Sequence, residues 1–548
     1  MNIRHTLLGL LVALVFISGL GCEKPSSNAS SAPLTPTPLS PDTILRVHWL
    51  GKNDLGIRAS AYYFMRIWEL PQSAQLETQT LARLATAPGR LLLGEKGVTN
   101  QTGAWLYPLL GDAVWNESYL EIRQAPHQPA EFVLAIQLDA PHQQLWQTNL
   151  AAAVESLTGA RTMAAPAGGF GWSLEKPGSP AHLALTRVGP WTMVSAGPAA
   201  GDLLNEVTVR IQRDHTPCVA QAPDDWLEAD ADLPRLAALL PQDWNLPADL
   251  PKISLAVTGD GGHVLTHAGL SFSRPLPLEL QPWAIPTNLI HPPLVAFTAV
   301  RGLAPWLASS NLWGALQIGP PPDQVCSWAL PAGLFQTYFA APLPDAAGQV
   351  RALAAHLLTD ANPWLAAHGY VGFDSDQQSN GVTWGSSPSI LPFIKSVAAD
   401  GKGGVAYAGL IPETNPDANA QTNLFYYHPS FDELLQTLSD GTNLVYYQWE
   451  LTGDRLQSCL FIGQFLSVIT HRPPLPLDCP ASVWLKIIMP RLGNCTTAIT
   501  LTDTNRLSFS RTSTLGFTAA ELNLLAAWIE SPQFPCGLYS SPPTPTQP

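Results

Sequence analysis

Leu270-Ser271-Phe272-Ser273-Arg274 recurs letter for letter as Leu507-Ser508-Phe509-Ser510-Arg511, and the reading of this repeat decides the fold. The first copy lies in the segment His263 to Arg274, which faces Ile253 to Val257 across Thr258-Gly259-Asp260-Gly261-Gly262. Glycine and aspartate between two alternating apolar runs mark a hairpin. The second copy faces Ala498 to Leu501 in the same way. Each copy therefore falls on the second strand of a hairpin.

Outward from the hairpins, other elements recur in the same order. Thr43 to Gly51 alternates as a strand and is answered by Leu294 to Val300. Phe132 to Leu138 leads into a helix over Gln143 to Leu157, closed by Gly159; Leu334 to Ala340 leads into a helix over Ala346 to Leu358. Self-similarity of this kind points to an internal duplication. The expected fold is α+β, with two similar domains over 43–285 and 286–537, each a mainly antiparallel sheet with helices packed on one face.

Local signals fill in the rest. Ala59 to Leu70 reads as a helix stopped by Pro71, and Ser73 to Thr86 as a second helix ending before Pro88-Gly89. Strands are expected over His182 to Arg187 and Trp191 to Ser195. Asn380-Gly381 between Tyr370–Phe373 and Val382–Trp384 is a hairpin turn. Ser430 with Glu433, and Thr518 with Glu521, have capping-box spacing; the second helix buries Leu522, Leu525 and Ile529 and stops before Pro532.

The chain has 548 residues, of which 46% are hydrophobic and only 13% charged, with 18 Trp, so it has apolar mass for more than one core. Its net charge of −14, without clustered Lys and Arg, excludes nucleic acid as a partner. Most tryptophans sit beside other apolar residues, as in Ile67-Trp68 and Ala527-Trp528-Ile529, which is the core pattern.

The first residues give the compartment. Arg4 and His5 precede an apolar run from Leu7 to Ile17, and Ser18-Gly19-Leu20-Gly21 supplies small residues before Cys22. The run is shorter than the ~20 residues of a membrane-spanning helix, so residues 1–21 read as a secretory signal peptide. Gly21-Cys22 resembles the lipobox of bacterial lipoproteins, although Leu20 stands two residues before the cysteine where that family has its leucine three before. The resemblance implies that Cys22 becomes the first mature residue, carries acyl chains such as palmitate, and ties the chain to a membrane. Gly19 and Gly21 also satisfy ordinary secretory cleavage, which would release an unmodified Cys22 at the same bond. Residues 22–42, rich in Pro and Ser, read as a tether, and 538–548 as a disordered tail. The absence of Asp after Cys22 points, by the same resemblance, towards the outer membrane.

Setting Cys22 aside leaves Cys218, Cys326, Cys459, Cys479, Cys495 and Cys536, which in an oxidising compartment can form up to three disulfides. Four crowd into the last 90 or so residues, where a staple is expected.

Motifs that carry chemistry are scarce. Gly401-Lys402-Gly403-Gly404 lacks phosphate-loop spacing and reads as a turn. His263 and His267 on one strand stand ~13 Å apart, too far for one ion, so no metal or other cofactor is expected. Asp224 to Asp232 reads as a solvated helix start before Leu233–Leu240, and Asp374-Ser375-Asp376 as a solvated turn. Glu450, inside the apolar strand Leu444 to Leu451, is the one candidate catalytic carboxylate. It reads either as part of a half-exposed polar strand face, shared with Tyr446 and Gln448, or as a general acid in an aromatic cleft. The expected function is non-catalytic binding or a structural role in the cell envelope, with an envelope protein or glycan as partner. The alternatives are a hydrolase acting on glycan or peptide, or a scaffold for a protein partner.

Overall fold

The computed structural model describes residues 41–535 apart from 95–99, 166–168, 176–180, 199–200, 219–223, 240–248, 310–312, 315–318, 332–334, 368, 377–380, 385–390, 399–403, 412–427 and 470–474. The leader, Cys22, Asn380, Lys402, Cys536 and the tail lie outside the described residues.

The first ten strands are β1 (Thr43–Trp49), β2 (Ser118–Arg123), β3 (Glu131–Gln137), β4 (Met163–Ala164), β5 (Trp172–Glu175), β6 (Ala181–Val188), β7 (Trp191–Pro198), β8 (Leu227–Asp232), β9 (Lys252–Gly259) and β10 (Val264–Ser271). The next ten are β11 (Ala296–Arg301), β12 (Gln324–Ala329), β13 (Thr337–Leu343), β14 (Phe373–Asp376), β15 (Gly381–Trp384), β16 (Phe393–Ala398), β17 (Gly404–Gly409), β18 (Leu444–Leu451), β19 (Asn494–Asp503) and β20 (Arg506–Ser513).

All of them join one antiparallel sheet. At its centre β10 pairs with β20 along its whole length, from Val264 opposite Ser513 to Ser271 opposite Arg506. Outward from β10 the order is β9, β8, β1, β2, β3, β7, β6, β5, β4. Outward from β20 it is β19, β18, β11, β12, β13, β17, β16, β15, β14. Adding ten to each number of the first order gives the second.

The repeated pentapeptide does not mark equivalent positions in these two orders. Leu270 is one residue from the end of β10, whereas Leu507 is one residue from the start of β20. The two leucines instead face each other across the seam.

The alternating side chains of β1 show how the layers arise. Leu45, Val47 and Trp49 enter a core beneath the helices Pro71–Leu93, Asn100–Trp115 and Ala140–Thr158, while Arg46 and His48 point to the other face. The first core also takes Leu485, Leu522, Ile529 and Phe534 from the C-terminal helices Pro480–Ile488 and Ala519–Glu530 and the residues after them, so residues on both sides of position 286 share it. Gln79 donates to Glu530 at 3.0 Å, Trp484 to Ser73 at 3.0 Å, and Arg83 to the carbonyls of Ile529 and Ser531. A second core, built on Phe297, Trp328, Tyr338, Tyr407 and Trp449, fills the other half.

Both capping boxes form, at Ser430 with Glu433 and at Thr518 with Glu521. The helix expected to stop before Pro88 runs on to Leu93 with Pro88 inside it, held by packing of Leu84, Ala85 and Ala87 around the missing hydrogen bond. The acidic stretch is also corrected. Leu227–Asp232 is a central strand, because Leu227, Ala229 and Ala231 alternate towards the apolar core while buried Asp230 pairs with Arg46 and Asp232 with Lys252 at 2.8 Å. No helix among the described residues is long and apolar enough to cross a membrane.

Candidate functional site

Two places concentrate features that bind. The first is an apolar cavity of ≈ 160 Å³ where the N-terminal helices meet the C-terminal ones. Trp49 at the end of β1, Phe64 and Trp68 form one wall; Trp484, Leu525 and Trp528 form the facing one. Phe64 meets Trp68 edge-on at 5.3 Å, which locks both rings.

One carboxylate lines this otherwise oily space. Glu77 accepts 2.8 Å and 2.7 Å hydrogen bonds from Lys52 Nζ and Trp68 Nε1. Lys52 is only 5% exposed, and its ammonium also lies 4.8 Å and 4.4 Å from the ring centroids of Trp68 and Trp115. The charge is thus kept out of water by two indoles and one anion.

The second place lies on the opposite face of the sheet, under the helix Leu203–Asp214. Glu121 on β2 is buried and accepts from Tyr119 and Arg210 at 2.7 Å and from Arg123 at 2.7 Å. Burial would raise its pKa, but Arg210, Tyr119 and Arg123 hold it below the usual carboxylate range. Arg210 in turn donates to the Pro217 carbonyl at 2.7 Å, which fixes the segment carrying Cys218.

Beside this network His48 Nε2 is 2.9 Å from Glu117 Oε1, and the donor atoms of His48, Glu117 and Cys218 all lie within 4.8 Å of one another. Burial lowers the His48 pKa, but hydrogen bonding and charge from Cys218 and Glu117 beside the ring outweigh it and leave it raised to about 10. Asp225 nearby is raised by burial and by its hydrogen bond to Glu228.

Of the residues singled out from sequence, Glu450 is placed differently from the half-exposed strand face expected. It shares its face with Tyr446 and Gln448 as alternation requires, but it is 2% exposed. Its oxygens accept from the Ala519 backbone N–H at 2.7 Å and from Gln448 at 3.0 Å, so the carboxylate caps the helix Ala519–Glu530 inside the protein. Burial raises its pKa.

Among the described residues Cys218, Cys326, Cys459, Cys479 and Cys495 are all free thiols, so the expected C-terminal staple does not form among Cys459, Cys479 and Cys495. Cys495 is spent inside β19 directly opposite Glu450, Cys326 lies in the second core, and Cys218 stands beside His48. His263 bonds Asp260 within its turn and His267 is an exposed strand residue, so the two do not converge.

Neither cluster was legible as a motif. His48, Glu117 and Cys218 are far apart in the chain, and only the adjacency of β1 and β2 brings the first two together. No protein-family model, curated protein or solved structure matches the chain.

Proposed function

We propose that this chain is an exported, lipid-anchored binding protein of the cell envelope that holds a small, mainly apolar molecule between its N- and C-terminal helices. The aromatic cavity carries the reading. An apolar pocket with one or two convergent polar groups is the usual form of a small-molecule site. A cavity of about 150 Å³ lined by apolar side chains accepts a benzene-sized guest, which sets the size of ligand expected here. Glu77, held by Lys52, offers that guest a charged contact at the wall beside Ser73 and Thr80.

The same proposal includes two similar halves, supported by the matching strand orders, and an acylated Cys22 followed by a Pro/Ser-rich tether. The partner at the N-terminus is then the membrane, by preference the outer one. The hydrolase alternative loses its motive, since Glu450 is sealed in as a helix cap rather than set in a cleft.

The test for the pocket is titration of the full chain with benzene and with toluene, followed by tryptophan fluorescence excited above the absorption of either guest. Saturable quenching is expected, with binding abolished in Leu525→Trp, which fills the cavity from a partly exposed helix position while thermal unfolding stays the same. Absence of saturable quenching, or unaltered affinity in Leu525→Trp, overturns the reading. The anchor is tested by intact mass: the mature chain should begin at Cys22, carry acyl groups and stay in the membrane fraction, and an unmodified soluble chain would refute it.

A further inference from the structure

We propose that His48, Glu117 and Cys218 form a binding site for a divalent transition cation of the Zn²⁺ class. Three donors of three chemical kinds converge from separate segments: an imidazole from the end of β1, a carboxylate from the residue before β2, and a thiol from the turn after the helix Leu203–Asp214. Their ligand atoms lie within 4.8 Å of one another, so modest side-chain movement brings all three to coordination distance.

The imidazole supplies an independent observation. His48 is 2% exposed and, apart from the Cys218 thiol beside the ring, its Nδ1 has no hydrogen-bond partner among the described residues. A buried ring nitrogen with only a weakly bonding thiol for company is costly, and protein interiors rarely keep one without a use.

The supports around the donors are rigid. Gly51, with φ of 92°, lets β1 turn against Asn116–Glu117; a Cβ there would stand 2.6 Å from the Asn116 carbonyl carbon. On the thiol side, Trp191 Nε1 donates to the His215 carbonyl at 3.3 Å, Arg210 holds the Pro217 carbonyl, and the Cys218 N–H donates to Thr216 Oγ1 at 3.2 Å. Glu228 lies directly opposite His48 in the β1–β8 ladder and adds negative charge next to the donors. Outer partners of this kind orient metal ligands.

The mixed donor set selects the ion. Calcium and magnesium take oxygen ligands, whereas imidazole with thiolate suits zinc and its first-row neighbours. Three protein donors leave a fourth tetrahedral position for water or an exchangeable ligand. Binding displaces to solvent both the thiol proton and the proton carried by the ring nitrogen that coordinates.

The experiment uses the full chain after chelator treatment, titrated with Co²⁺ and then with Zn²⁺ in competition. One equivalent of Co²⁺ should give a thiolate-to-metal charge-transfer band that Zn²⁺ abolishes. Cys218→Ser should remove the band, and His48→Gln or Glu117→Gln should weaken binding by about 100-fold or more, above the cost of changing an outer partner. Alkylation of Cys218 in the unmodified chain provides a readout independent of any variant's folding, and one equivalent of Zn²⁺ should slow it. No thiolate band in the parent chain, a band that survives Cys218→Ser, or alkylation of Cys218 indifferent to Zn²⁺ would each overturn the proposal.

Discussion

Replacing Glu77 by Gln strips the counter-ion from an ammonium that has almost no water to turn to. Lys52 is 5% exposed and Glu77 accepts its 2.8 Å hydrogen bond, so the variant leaves a buried cation unpaired. Breaking a buried pair from one side costs about 3–5 kcal/mol. Two features reduce that here. The contacts of the ammonium with Trp68 and Trp115 persist, each worth ~0.5–2 kcal/mol, and Trp68 Nε1 still finds an acceptor in the glutamine carbonyl. The expected cost of Glu77→Gln is therefore about 2–4 kcal/mol. Lys52→Met in the same chain removes the stranded charge and keeps an unbranched side chain between the two indoles, so the double variant should recover all but ~1 kcal/mol. Lys52→Met alone should cost ~1–2 kcal/mol, because the stranded Glu77 keeps some access to water, so urea unfolding of the parent, both single variants and the double variant should give a coupling energy of about 2–5 kcal/mol. If the double variant is as unstable as Glu77→Gln, the charge is not what the site holds in check and the reasoning fails.

Glu450 has a folded-state pKa raised by burial, so the stability it contributes is complete below its ordinary value of 4.5 and is lost as pH rises towards the folded value. Glu450→Gln should flatten that part of the pH dependence, so that the fall in melting temperature from pH 5 to pH 8 becomes smaller; an identical fall in both chains would sink the assignment. Gly51→Ala should cost about 1–3 kcal/mol, because it forces a side chain into positive φ and onto the Asn116 carbonyl carbon, and an unchanged urea midpoint would contradict the geometry. Alkylation of the unfolded chain without reductant should modify Cys218, Cys326, Cys459, Cys479 and Cys495 alike; a cysteine among them that reacts only after reduction would reveal a bridge.

Much of the fold was legible where its causes are local. The capping boxes at Ser430 and Thr518 needed only the spacing of a hydroxyl and a carboxylate, β1 announced itself by alternation, and β3 and β18 by their apolar runs. The helix Asn100–Trp115 escaped because Gly103, Pro108 and Gly111 break its pattern, although Leu106, Leu109, Leu110 and Ala113 keep helical spacing and are buried. β8 was misread for the opposite reason. Its period of two was present in Leu227, Ala229 and Ala231, but acidic residues suggest water until a partner is known, and Arg46 stands elsewhere in the chain. The candidate sites depend wholly on such distant partners. Lys52 meets Glu77 only when two helices pack together, and His48 meets Cys218 only once the sheet has ordered its strands.

The shared first core sets a condition on synthesis. A chain emerging N-terminus first presents β1 and the helix Pro71–Leu93 early, yet the surfaces that cover them, Leu485, Leu522, Ile529 and Phe534, follow only after β11 to β18 have been made. The first half cannot close its hydrophobic interior while it waits, because the contacts of Arg83 with Ile529 and Ser531 connect segments far apart in the chain. Completion of the core is therefore a late event, gated by emergence of the helices Pro480–Ile488 and Ala519–Glu530, and the growing polypeptide carries exposed apolar helices until they appear.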